Sequence, residues 1–357
     1  MWKNLSTTIF SRKIFLNRLT LTLILLLTLT AAISAPLQAQ SNTAGAQLLA
    51  AQRLMIQQKY PEATARAMAI LKSDPDNIDA IYTLAAIEQT RILDYEAYTI
   101  YGRRFQVFAD SLLKILEARQ PALRGDDSLR CLFYRANIIG GIGLMQAKRG
   151  AWMEGARNGM ASSNLYRQVK RIDPGHLGAD MGLGVFDYYF GTSMKWIPFV
   201  AGGSVEKGLE AIERSLNAPF PFNHAAKSSY CWILIDRKQF RKADSLAHSA
   251  LRDAPNSTIF LRIRALIALW TGCNDSALNF GKKLMAASES RSPVNWSDLI
   301  MAHAIVAEAY DKKGQRAEAL ATANKALGLP MPAAYRAISH VKDHYKTLTG
   351  IRNKLSK

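Results

Sequence analysis

The chain has 357 residues, 49% of them hydrophobic and 21% charged, with 46 Lys and Arg against 28 Asp and Glu for a formal net charge of +18. That apolar share excludes a wholly disordered chain, and 22 Gly with 12 Pro exclude a collagen-like or low-complexity one. Three cysteines supply no complete disulfide framework, so the fold must rest on its core.

Met1–Arg18 carries Lys3, Arg12, Lys13 and Arg18 and no acid, and the apolar run Leu19–Ile33 follows, then Ser34-Ala35-Pro36-Leu37-Gln38-Ala39. Basic head, short apolar middle and small-residue exit are the parts of a secretory signal peptide. Fifteen apolar residues fall short of the ~20 that span a bilayer. The expectation is a signal peptide over 1–39, cleaved after Ala39, with an uncleaved signal anchor as the alternative. No Cys follows the apolar run, as a lipidated bacterial terminus would require. No second stretch is long and apolar enough to cross a membrane. The expected location is therefore the periplasm or the outer-membrane surface, or a membrane tether if the anchor is retained.

From residue 40 onward the chain repeats. Ala63 to Ala97 and Ala243 to Ala277 are 34 apart, Gly208 to Ala243 is 35, and Ala277 to Ala319 is 42. Twelve residues before the alanines of this series stand Ala51, Ala85, Cys231, Ala265 and Ala307. Pro75 and Pro255 follow two of them at helix-ending distance. Antiparallel helices joined by a short turn approach closely only where the facing side chains are small, so this spacing predicts a stack of helical hairpins. The stretch Ala304–Leu329, with Ala307, Tyr310, Gly314, Ala319, Ala323 and Ala326 in phase, resembles the tetratricopeptide repeat family, as do Ala44–Asn77 and His224–Ser257. That resemblance implies an all-α, right-handed α-α superhelix over 40–357, with about seven helix pairs. The sequence departs from the family at the helix-A aromatic, where Gln47, Ile81, Lys227, Leu261 and His303 stand.

In the middle, Glu96–Arg119 reads as one amphipathic helix with Phe105, Phe108, Leu112, Ile115 and Leu116 on a buried stripe. Asp126-Asp127-Ser128 caps the next helix, and Met153–Ile172 is its partner. In Leu177–Leu216, Gly184 and Gly208 take the small-residue positions and the turn between them is inflated into 190–203. This stretch is similar to the tetratricopeptide repeat protein 39 family, which includes a yeast mitochondrial outer-membrane inclusion-clearance protein. The similarity implies a reusable hairpin and no catalytic content. A C-terminal helix is predicted over 333–349.

The apolar turn offers Trp196 and Phe199 as docking anchors and Lys195 for an anionic group, against the alternative that it packs into the solenoid. Helical phase sets Trp232, Arg262, Glu308 and Asp311 along the groove. Basic residues cluster at Arg103-Arg104, Lys148-Arg149, Arg167 with Lys170-Arg171, and Arg237-Lys238 with Arg241-Lys242. They form a solvated surface or address an anionic envelope component, while no nucleic-acid motif accompanies them. Cys231 reads as a packing thiol, and His340 with His344 as an incidental pair on a polar face lacking a third metal ligand. No nucleophile elbow, Walker loop or zincin motif is present. These readings point to an exported, non-catalytic scaffold for a protein or peptide, with no metal and no cofactor. The alternative is a small-ligand-binding component of an envelope transport system whose 190–203 turn closes a pocket.

Overall fold

The computed structural model describes residues 44–193, 205–218 and 222–357. The predicted signal peptide over 1–39, and Lys195, Trp196 and Phe199, lie outside them. Among the described residues every regular element is helical, sixteen in all. They are α1 (Ala44–Ile56), α2 (Tyr60–Ser73), α3 (Ile78–Asp94), α4 (Tyr98–Arg119), α5 (Gly125–Lys148) and α6 (Trp152–Ile172). Then come α7 (Leu177–Ser193), α8 (Val205–Ser215), α9 (Phe222–Asp236), α10 (Phe240–Asp253) and α11 (Thr258–Trp270). The last are α12 (Asn274–Glu289), α13 (Trp296–Lys312), α14 (Arg316–Leu327), the short α15 (Ala333–Arg336) and α16 (Ser339–Leu355). Sequence neighbours pack as antiparallel hairpins: α1 on α2, α5 on α6, α7 on α8, α11 on α12, α13 on α14. The described residues form two compact units, those within 44–91 and 101–236, and residues 92–100 with 237–357.

Six hairpin turns share one device. Two residues beyond the first helix of each pair stands a residue at positive φ: Gln58 (63°), Glu96 (48°), Gly150 (88°), Lys238 (59°), Gly272 (76°) and Gly314 (75°). This left-handed residue ends the first helix and reverses the chain, and glycine adopts it without strain. Seven residues before it and five after it stand the facing positions of the hairpin. In four turns within a single unit both are small: Ala51 and Ala63, Gly143 and Gly155, Ala265 and Ala277, Ala307 and Ala319. All eight are buried. The expected twelve-residue spacing is thus the distance across the turn, and Gly143 with Gly155 joins a series in which the sequence reading did not place it.

The turn at Glu96 corrects the repeat. Counted from Glu96 as in the other turns, the corresponding positions are Gln89 and Tyr101 rather than Ala85 and Ala97. Ala97 is buried, but it lies in the turn itself, where its amide donates to Ile92 O at 2.9 Å. The bulkier Gln89 is accommodated because Gly141 on α5 has no Cβ; one built there would come within 2.1 Å of Gln89 Oε1.

Other boundaries shift for local reasons. Helix α4 buries Phe105, Ala109, Leu112 and Leu116, and Ile115, one residue off that stripe, is 39% exposed. Helix α5 starts at Gly125 after Arg124, with no side-chain cap from the Asp126-Asp127-Ser128 run. Phe190–Ser193, assigned to the inflated turn, continue α7. The predicted helix over 333–349 is two helices, because Ile338 turns extended (φ −69°, ψ 131°) and is buried between them. No described helix is long and apolar enough to cross a membrane.

Candidate functional site

Of the residues expected along a groove, Trp232 belongs to the first unit and Arg262, Glu308 and Asp311 to the second. Trp232 is buried on α9 in the first unit. In the second unit, Glu308 pairs with Lys312 one turn along α13 (3.0 Å), and Asp311 accepts from Lys354 Nζ at 2.9 and 2.8 Å. Arg262 is buried on α11, at the centre of the richest polar constellation among the described residues.

That constellation assembles from five places in the second unit. Asp94 ends α3, Glu96 is the left-handed turn residue after it, and Thr258 and Arg262 lie on the first turns of α11. Arg291 and Asn295 come from the loop before α13, Asp298 from its first turn, and His340 from the first turn of α16. Arg262 Nη1 donates to Glu96 Oε1 at 2.8 Å, and Nη2 donates to the Asp94 carbonyl at 3.0 Å and to Asp298 Oδ2 at 3.2 Å. Its Nε stands 2.9 Å from Asp298 Oδ1. Arg291 Nη2 donates to Asp94 Oδ2 at 2.8 Å, and Thr258 Oγ1 donates to Asp94 Oδ1 at 2.7 Å. Asn295 caps α13 by accepting from the Asp298 amide at 3.2 Å, and its Nδ2 donates to Asp298 Oδ2 and to the Asp94 carbonyl. His340 Nε2 stands 2.6 Å from Glu96 Oε2, with Tyr98 Oη 3.4 Å from its other ring nitrogen.

Elementary electrostatics explains the composition. A buried carboxylate is tolerated when paired and hydrogen-bonded, and three carboxylates here surround two guanidiniums whose planar forks reach several oxygens at once. Asp94 and Asp298 also sit at the N-terminal ends of α11 and α13, where the helix dipole favours negative charge. Burial pushes the Asp298 carboxyl up to about 7, with Arg262 opposing and the neighbouring acids reinforcing. The Tyr98 phenol is pushed well up by burial and by Glu96. Half-buried His344, one turn beyond His340, is held down to about 4 by burial and by His340. His340 and His344 therefore do not form an incidental pair facing water. His340 is committed to Glu96.

What this arrangement does is hold the 92–100 segment against the starts of three helices. The side chains of Asp94, Glu96, Arg262 and Asp298 are at most 3% exposed and engaged with one another, so it is a lock rather than a cleft. Thr258 and Arg262 lie 164 to 168 residues from Asp94 and Glu96, and Arg291 and Asn295 lie 197 and 201 residues from Asp94, which is why no local motif announces it. The signals in the sequence were the helical phase of Arg262 and the departure from small residues at Gln89 and Tyr101 around Glu96. Elsewhere Cys131 and Cys273 are free thiols, and burial raises the Cys131 thiol to about 11, away from reactivity at neutral pH. Among the described residues, no cluster of three or more His, Cys, Asp or Glu could hold a metal ion.

No family model matches the chain, and no curated protein does. Among solved structures, the crystal structure of the P58(IPK) TPR domain is similar at 12% identity, covering 88% of this chain and 99% of that one, with a TM-score of 0.25. At that score the superposition carries no weight, and the helical-hairpin architecture rests on the pairing and the small-residue contacts described above.

Proposed function

We propose that this chain is an exported, non-catalytic scaffold of the tetratricopeptide-like kind, a right-handed superhelix of hairpins that holds a protein or peptide partner in a bacterial cell envelope. One observation carries the reading: four hairpins close on buried small residues at one constant spacing. Construction from repeated hairpins produces extended side-chain surface, the property that repeat folds put to use in binding. The basic, apolar N-terminal segment supports export, and the formal charge of +18 suits an acidic partner or an anionic envelope component. Trp196, Phe199 and Lys195 are the proposed anchors, with Glu308 and Asp311 as polar contacts. The decisive experiment is in-cell crosslinking from residue 196 in the native host, alongside Trp196→Ala. A defined crosslinked partner, lost in the variant while its unfolding midpoint is unchanged, supports the reading; a lower midpoint with the crosslink retained assigns Trp196 to packing. N-terminal sequencing of the purified chain tests export, with Gln40 as the expected first residue.

A further inference from the structure

One end of the first unit gathers cations and protruding apolar side chains without acidic partners. The start of α4 lies against the end of α5: a Cβ on Gly102 would stand 3.1 Å from Arg149 Cδ, and Arg149 Nη2 donates to Gln106 Oε1 at 3.2 Å. Helix α6 begins three residues after Arg149. This brings together Arg103 and Arg104, both exposed, with the half-buried Arg149. Among the described residues none of the three forms an ion pair, and Arg149 Nη1 is buried with no hydrogen-bond partner. Burial and the neighbouring Arg103 charge lower the Arg149 pKa, yet a guanidinium remains cationic at any physiological pH. The nearest acids along these helices, Asp110 and Glu154, are exposed and pair with none of the three.

Beside these cations stand Val107, 73% exposed and one turn from Arg103, Met153, 85% exposed, and Trp152, 37% exposed. Solitary apolar side chains on a surface are ordinary, but these three protrude from the same end as an uncompensated arginine group. Along α6 the exposed series continues at helical spacing through Arg157 and Met160. Arginines that reach phosphate groups, flanked by Trp, Met and Val that dip below them, match the two layers of a bilayer interface. A protein partner would instead call for anchors set in a packed patch.

We propose that this end of the first unit docks on an anionic phospholipid surface, with Arg103 and Arg104 at the phosphates and Met153 and Val107 inserted among the headgroups. Each arginine near such a surface contributes about 1 kcal/mol, so removing two weakens binding by roughly thirtyfold. The test is flotation of the full chain with phosphatidylcholine vesicles and with mixed phosphatidylglycerol–phosphatidylcholine vesicles. The quantity read is the difference between parent and variant in the increment due to the anionic lipid, so that contributions of the apolar 19–33 run and of the basic residues before it cancel.

The expected result is an increment that falls with salt, drops on the order of thirtyfold in Arg103→Gln/Arg104→Gln, and falls severalfold in Met153→Ser. All of these side chains are exposed, so circular dichroism and unfolding midpoints should match the parent. A double variant that floats like the parent overturns the proposal. So does displacement by inorganic phosphate beyond that by chloride at equal ionic strength, which would mark a discrete phosphate site. Binding to polyglutamate that tracks the arginines while vesicle binding does not would assign the surface to an acidic protein instead.

Discussion

In the first unit, α5 on α6 and α7 on α8 close where backbones touch, although α1 on α2 closes on Ala51 and Ala63; in the second, the hairpins close on methyl groups beside a buried ionic lock. A Cβ built on Gly184 would stand 2.6 Å from Gly208 O, and one on Gly208 2.7 Å from Gly184 O. Gly143 and Gly155 repeat the arrangement across α5 and α6 at 2.9 and 2.8 Å. In the second unit the same positions are alanines, 265 with 277 and 307 with 319, all fully buried. The difference is one of tolerance. Backbone contact fixes helix separation by hard-sphere repulsion alone, with no slack. Alanine pairs leave the helices slightly farther apart, and here directional hydrogen bonds around Arg262 add orientation that methyl contact does not specify.

The lock offers the largest effect with which to break this comparison. Replacing a whole buried ion network by apolar groups can be neutral, whereas removing one member strands the rest. Arg262→Met should therefore cost about 3–5 kcal/mol, read from urea denaturation of the full chain. A loss below about 1 kcal/mol would show that the acids are stabilised without it. Next comes the backbone contact: Gly184→Ala should cost about 2–3 kcal/mol, because its methyl meets backbone rather than a side chain that can swing away. A neutral result would mean the hairpin is looser than its geometry.

The pH profile sharpens the lock further. Asp298 titrates near 7 in the folded chain against 3.8 as its ordinary value, so the folded state holds a proton that the unfolded chain releases. Its contribution is complete below about pH 4 and is lost as pH rises through about 7. His344 and His303, each lowered to about 4, act oppositely: their contribution is present above 6.5 and is lost as pH falls towards 4. Asp298→Asn removes only the descending part, so stability should rise more steeply between pH 4 and 7 in the variant than in the parent. Parallel profiles of urea midpoint against pH would refute that assignment. The smallest expected effect concerns the turn. Lys238→Gly relieves a left-handed backbone at an exposed residue and should stabilise by up to about 1 kcal/mol. Glu96→Gly relieves the same backbone but should destabilise by about 2 kcal/mol through lost charged hydrogen bonds.

Much of the hairpin plan was legible because it is local. The alanine spacing, the turn glycines 272 and 314, and Gly184 with Gly208 each act over a few turns of helix, within reach of a periodic reading. Where the reading slipped, at Ala85 and Ala97, a second alanine series mimicked the true register four residues away. Ile115 misled for a similar reason, being apolar but one position off the buried stripe. The site was largely illegible: Arg262 was picked out by helical phase, but its carboxylate partners Asp94 and Glu96 were not.

By itself the sequence determined the helical class, the length of the hairpins and the residues on which they close, since all three follow from short-range sterics and apolar periodicity. Only the tertiary structure decided which acids meet Arg262, why a glutamate stands where the other turns favour glycine, and which arginines stand together without carboxylates. Those outcomes depend on segments far apart in the chain being brought into a low-dielectric interior or onto one surface, and charges carry no record of their future neighbours in the residues beside them.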